Sequence, residues 1–187
     1  MKTTPATRCN WANTDDELML AYHDSEWGKP NHDSQHLFEM LSLELMQAGL
    51  SWKTILHRRS GFQAAFANFD YHQVAKMEEQ IPSLLENPAI IRNRRKIDAI
   101  INNAQVLVNL EHQGSSFNEY LWNFVANEPI VNSVVTAADV PSSTELAKKI
   151  SKKMKQDGFK FAGPVVVYSL MQACGMVNDH LNDCIAK

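Results

Sequence analysis

The chain has 187 residues, 44% of them hydrophobic and 21% charged, with a formal net charge of −3. That length suits one compact domain, or two small lobes sharing a core with a hairpin lobe over about residues 50–125. Three cysteines exclude a disulfide framework, the N-terminal MKTTPATRC lacks the apolar core of a signal peptide, and no apolar run reaches membrane-spanning length, so a reducing cytoplasmic setting is expected.

Helical signals fill the chain. Thr14 followed by Glu17 reads as a capping box opening a helix through Tyr22 and His23. A longer helix starts near Asp33 or Ser34 and stops at Gly49, a C′ glycine. Ser51 caps the next, from Trp52 to Arg59, and shorter helices follow over Phe62 to Ala67, Tyr71 to Met77 and Pro82 to Glu86. A long helix covers Arg92 to Glu111, with Ile97, Ile100, Ile101, Ala104 and Leu107 as its apolar stripe. Helices over Phe117 to Val125, Ser143 to Asp157 and Pro164 to Met176 complete the set, the last with proline in its first turn. No segment alternates as a strand would, and Asn127 to Pro141 reads as a loose connection. The expected fold class is all-α.

Four residues with metal-binding side chains lie at the two ends of the chain: Cys9 and His23, then His180 and Cys184. Two His and two Cys satisfy a tetrahedral zinc ion with no open position, the pattern of a structural site. In HLNDC, His180 and Cys184 sit four apart, a spacing that puts both on one helical face or a tight turn. Cys9 and His23 have no such local periodicity, and on spacing alone four scattered residues are the better account. Cys174, in the apolar run MQACGM, reads as a small buried residue.

Charge is distributed unevenly. Acidic residues gather at Asp15, Asp16, Glu17, Asp24 and Glu26; basic ones at Lys53, Arg58 and Arg59, at Arg92 and Arg94 to Lys96, and along Lys148 to Lys155. Local patches matter more than the total for binding a nucleic-acid backbone. In the last run, Leu146, Ile150 and Met154 recur every four residues between lysines, so those lysines form the solvated face of an amphipathic helix.

Two further sites stand out. Glu44 falls in the stripe Leu37, Leu41, Glu44, Ala48, where a carboxylate is out of place unless it has a partner or its head reaches water. Trp11, Tyr22, Trp27 and Trp52 flank that helix in sequence. Taken alone such rings are better read as core packing, but a carboxylate inside an aromatic box suits a flat cationic ligand with N–H donors. The second site is LLENPAIIRNRRK, residues 84–96: a short helix, a tight hairpin and a helix opening with arginines. Ordinary helical turns with a basic face look the same, yet backbone N–H groups at such a helix start can hold a phosphate.

Together these residues resemble the 3-methyladenine DNA glycosylase I family of the helix-hairpin-helix glycosylase superfamily. The resemblance runs from RCNW at Arg8 to Cys184, through AYHDSEWGKP, LFEMLSLE, QAGLSW, FKFAGP and MQACGMVNDH in matching order. It implies a helix-hairpin-helix glycosylase fold whose termini are joined by one structural Zn2+ on Cys9, His23, His180 and Cys184. Glu44 takes the place of the base-reading, catalytic glutamate. Trp11, Tyr22, Trp27, Trp52 and, in the helix after FKFAGP, Ser169 take places in the substrate pocket. The hairpin implies DNA contacts at Ile90, Arg92, Arg94, Arg95 and Lys96. The implied partner is double-stranded DNA containing alkylated purines, engaged by a monomer, with no membrane.

The implied activity is a monofunctional hydrolase that flips out N3-methyladenine and excises it, leaving an abasic site. A non-catalytic binder of damaged DNA on the same scaffold is the alternative. Three positions depart from the family pattern: Met19 stands where related proteins carry a further pocket tyrosine, Leu45 where glycine often follows the glutamate, and Ala89 where the hairpin commonly has glycine. No aspartate occurs in residues 105–138, where related glycosylases place an assisting one.

Overall fold

A computed structural model describes residues 7–187; residues 1–6, which include most of the N-terminal stretch examined for a signal peptide, lie outside the described residues. Ten α-helices are described. Asp16, rather than Thr14, caps α1 (Glu17–Ser25), its carboxylate accepting from Met19 N, while Thr14 Oγ1 accepts from Asp16 N. A two-residue shift of this kind is the usual ambiguity where two capping residue types stand close together. Asp33 caps α2 (Ser34–Gln47), and the chain leaves that helix at Ala48 and turns at Gly49, whose φ of +81° is the left-handed conformation expected of it.

Ser51 caps α3 (Trp52–Leu56), which stops three residues earlier than its sequence signal; α4 (Arg59–Ala65) begins there at a new angle, and α5 (Tyr71–Val74) and α6 (Ile81–Glu86) follow. Asn93 caps α7 (Arg94–His112), so Arg92 belongs to the hairpin and not to the helix. Ser116 and Glu119 form a capping box at α8 (Phe117–Trp122); α9 (Glu145–Gln156) starts from Thr144, and α10 (Pro164–Ala173) from Gly163. The expected loose connection contains β1 (Ile130–Val131), which pairs in parallel with β2 (Val177–Asn178). Two-residue strands leave no alternation to read, so only the tertiary contact defines them.

Position in the packing explains the central helix. From Leu37 to Met46 every residue of α2 is buried, because α3, α7, α8 and α10 all pack around it. A helix packed on every side takes apolar residues off any single stripe, which is why Leu45 fits; Glu39, Ser42 and Glu44 are its buried polar exceptions. The lysines of α9 face solvent while Ala147, Ile150, Ser151 and Met154 face the core, as the sequence periodicity requires. Among the described residues no helix is long and apolar enough to cross a membrane.

One crossing sets the geometry of the site. The segment after α1 runs against the end of α10, with Gly28 N donating to Gln172 O (2.9 Å) and Asn31 N to Cys174 O (3.0 Å). A Cβ on Gly175 would stand 2.1 Å from the Lys29 carbonyl carbon, and Gly175 already has φ +70°. Backbone, not a movable side chain, blocks that position. Gly175→Ala is therefore expected to cost ~2–4 kcal/mol of unfolding free energy, measured by urea denaturation.

Candidate active site and metal centre

Cys9, His23, His180 and Cys184 meet in space, all buried, with one ligand atom from each lying within 4.8 Å of the others. Cys9 Sγ is 3.5 Å from His180 Nδ1; Cys184 Sγ is 3.4 Å from the same nitrogen and 3.5 Å from His23 Nε2. Metal–sulfur bonds of about 2.3 Å and metal–nitrogen bonds of about 2.0 Å at tetrahedral angles give ligand separations of about 3.5 Å, so the donor set fits a tetrahedral cation.

Both imidazoles are held from behind. His23 Nδ1 pairs with Asp24 Oδ1 at 2.7 Å, and Arg8 grips Asp24 through Nε and Nη2 at 2.8–3.1 Å. His180 Nε2 donates to the Trp27 carbonyl at 2.9 Å. These are the outer contacts that fix which ring nitrogen is free to ligate. Burial lowers His180 to about 4, which favours the neutral, ligating imidazole, and pushes the Cys9 thiol up to about 11. A bare thiolate is costly there unless a cation neutralises it.

The cluster also forms the back of an aromatic wall. Trp11 sits edge-on to His23 at 5.1 Å and to Trp27 at 5.1 Å, and Trp27 sits edge-on to His180 at 4.6 Å. Tyr22, next to His23 on α1, packs on Trp52 at 4.9 Å. These rings line a cavity of about 510 Å3. Trp11, Tyr22, Trp27, Glu44, Trp52 and Ser169 all line it, so the six expected pocket residues come to one place, as do the four expected ligands. Met19 lines it as well, buried against Tyr22 and the neighbouring tryptophans.

Glu44 projects from α2 into this cavity. Burial alone acts on its carboxyl and pushes it up to about 8. No hydrogen bond or ion pair among the described residues engages it, in contrast with Glu39 on the same helix, which accepts from Arg59 and Gln63 and is held down to about 2. Tyr22 OH and Trp52 Nε1 are buried and have no hydrogen-bond partner among the described residues. Each such group costs about 1–3 kcal/mol while unpaired. An aromatic cavity lined by two such groups and an unpaired carboxyl has the character of a ligand site.

The expected hairpin lies between α6 and α7. Asn87 Oδ1 accepts from Ala89 N, and Arg58 Nη1 donates to Pro88 O at 2.8 Å. A Cβ on Gly61 would lie 2.6 Å from Ala89 O, so α4 meets the hairpin at its barest point. Arg92, Arg94 and Arg95 are exposed, whereas the side chains of Ile90 and Lys96 are buried. Lys96 Nζ donates to the Met46 and Ala48 carbonyls at 2.8 and 2.7 Å, capping the last turn of the helix that carries Glu44. Its spacing after three arginines reads as another surface cation; only the meeting of α7 with α2 turns it inward.

Asp179 was not apparent from sequence. It lines the cavity and is buried beside His180, in a stretch with no helical or strand periodicity to reveal it.

The model of the methyladenine glycosylase family matches residues 11–187. The chain is 47% identical over 178 residues to DNA-3-methyladenine glycosylase 1 of Escherichia coli, covering 95% of each. A crystal structure of 3-methyladenine DNA glycosylase I superposes with a TM-score of 0.93 at 45% identity, over 96% of this chain and 98% of that one. A variant of 3-methyladenine DNA glycosylase I in complex with 3-methyladenine superposes with a TM-score of 0.90 at 40% identity, over 93% and 94%.

Proposed function

As the chain belongs to the methyladenine glycosylase family, we propose that it excises N3-methyladenine from alkylated double-stranded DNA by hydrolysis, leaving an abasic site. The observation that carries this is Glu44, a buried carboxyl with no protein partner inside an aromatic cavity. Methylation at N3 gives adenine a positive charge and weakens its bond to the sugar. The leaving group is already activated, so recognition matters more than acid catalysis.

A damaged nucleotide is cheaper to unstack than a normal one, and it turns out of the duplex into the cavity. Trp11, Tyr22, Trp27 and Trp52 then present π-faces that favour a cationic ring over neutral adenine. Glu44 accepts from the exocyclic amine and balances the charge, and Ser169 completes the wall. The C1′–N9 bond breaks with its electron pair going to the base; water adds at C1′ and loses a proton.

We assign Cys9, His23, His180 and Cys184 to one structural Zn2+, on the fit of the donor set and its held imidazoles. When bound, the ion would fix the two chain ends and leave no position open for chemistry. We further assign α6, the hairpin and α7 as a helix-hairpin-helix element. The backbone at Ile90 and the side chains of Arg92, Arg94 and Arg95 contact phosphates, and Lys96 supports them from within.

The function is tested by incubating the protein with N-methylated duplex DNA and measuring free base. Release of 3-methyladenine is expected; binding without release would identify a damage binder instead. For the hairpin, Arg92→Ala is expected to weaken DNA binding about equally across sequences and to lower the salt-dependence slope by about 1, read from binding titrations at several salt concentrations.

A further inference from the structure

Given the glycosylase function proposed above, on which it rests, we infer that Asp179 is a second catalytic carboxylate, whose negative charge stabilises the sugar cation formed as the base departs. Asp179 shares the cavity with Glu44 and is 3% exposed. Its Oδ1 accepts from Asn132 Nδ2 at 2.7 Å; its Oδ2 accepts from Tyr168 OH and from Gln172 Nε2 at 2.8 Å. All three partners are neutral donors. They orient the carboxylate from three sides without placing a cation against it.

The chemistry calls for a charge of this kind. Before bond breaking, the positive charge is on the base, among the aromatic rings and Glu44. As the C1′–N9 pair moves onto the base, the base becomes neutral and the charge passes to C1′ and the ring oxygen of the sugar. A carboxylate fixed in a water-poor cavity stabilises that developing charge without reorganising. Water then adds at C1′, and its proton leaves to solvent. The three donors come from α10 and from the residue after β1, so the charge is held by a rigid frame, not by a mobile loop.

The decisive experiment compares single-turnover base release from N-methylated duplex DNA for wild type, Asp179→Asn and Tyr168→Phe. Rates are expressed per binding-competent site, counted by titrating tryptophan fluorescence with free 3-methyladenine. Asp179→Asn is expected to slow release roughly 100-fold while 3-methyladenine affinity stays within about threefold. Tyr168→Phe keeps the charge and removes one donor, and is expected to release base within about fivefold of wild type. Equal losses in the two variants, parallel losses of release and base affinity, or an Asp179→Asn protein with no binding-competent sites would make Asp179 a structural residue and overturn the assignment. Unchanged release in Asp179→Asn would overturn it too. Failure of the wild type to release base would instead refute the glycosylase function itself.

Discussion

Glu44→Gln is expected to cut base release at least ~100-fold while the protein stays folded and keeps its metal. The amide has the same shape but cannot balance the charge of an alkylated base, and its NH2 group confronts the exocyclic amine donor. The wild-type pH profile should carry the signature of the same carboxyl. With Glu44 near 8 in the free protein, kcat/KM for base release should rise with pH and level off at about 8, and the Glu44→Gln profile should lack that rise.

Stability should move the opposite way. Below the ordinary 4.5 the carboxyl is protonated in both folded and unfolded chains; between 4.5 and about 8 only the unfolded chain gives up its proton. The unfolded state then binds fewer protons, so folding loses stability as pH rises through that window, by on the order of a few kcal/mol. Glu44→Gln removes this loss. Urea denaturation at pH 5 and pH 9 should show similar stability for the two proteins at pH 5 and a more stable variant at pH 9. A variant that unfolds, or loses metal, would make Glu44 part of the framework rather than a reader of the base.

Cys184→Ser should have the largest effect on stability. Wild-type protein is expected to contain about one Zn2+ per chain by elemental analysis, and the variant almost none. Losing the ion leaves Cys9, His23 and His180 buried with nothing to tie the two chain ends, at about 3–5 kcal/mol, or roughly 10 °C in Tm for a chain of this size. Base affinity should fall with it, because Trp11 and Trp27 rest edge-on against His23 and His180. Chelation of the wild-type protein should reproduce both losses. A chelated protein with unchanged Tm would count against a structural metal.

The helices were legible because each carries local information: an apolar stripe on α7, lysines around Ile150 and Met154 on α9, and capping residues such as Ser51. Their ends shifted where two capping types compete, as Thr14 and Asp16 do before α1. The strand pair escaped notice, since two residues per strand carry no period. The ligands, the pocket rings and Glu44 could be named because residue type and the order of the matching segments point to them one by one.

What the sequence by itself determined was therefore the helical class and the family, together with the candidate side chains for the site. Side-chain periodicity and residue identity are local properties, readable without knowing what lies across the core. Tertiary structure alone decided that Cys9, His23, His180 and Cys184 meet behind the wall of the same cavity that Glu44 enters. It alone turned Lys96 inward onto the Met46 and Ala48 carbonyls, and gathered Asn132, Tyr168 and Gln172 around Asp179. Those outcomes depend on contacts between residues as many as 171 positions apart, and burial rather than residue type then sets the charge state of each group.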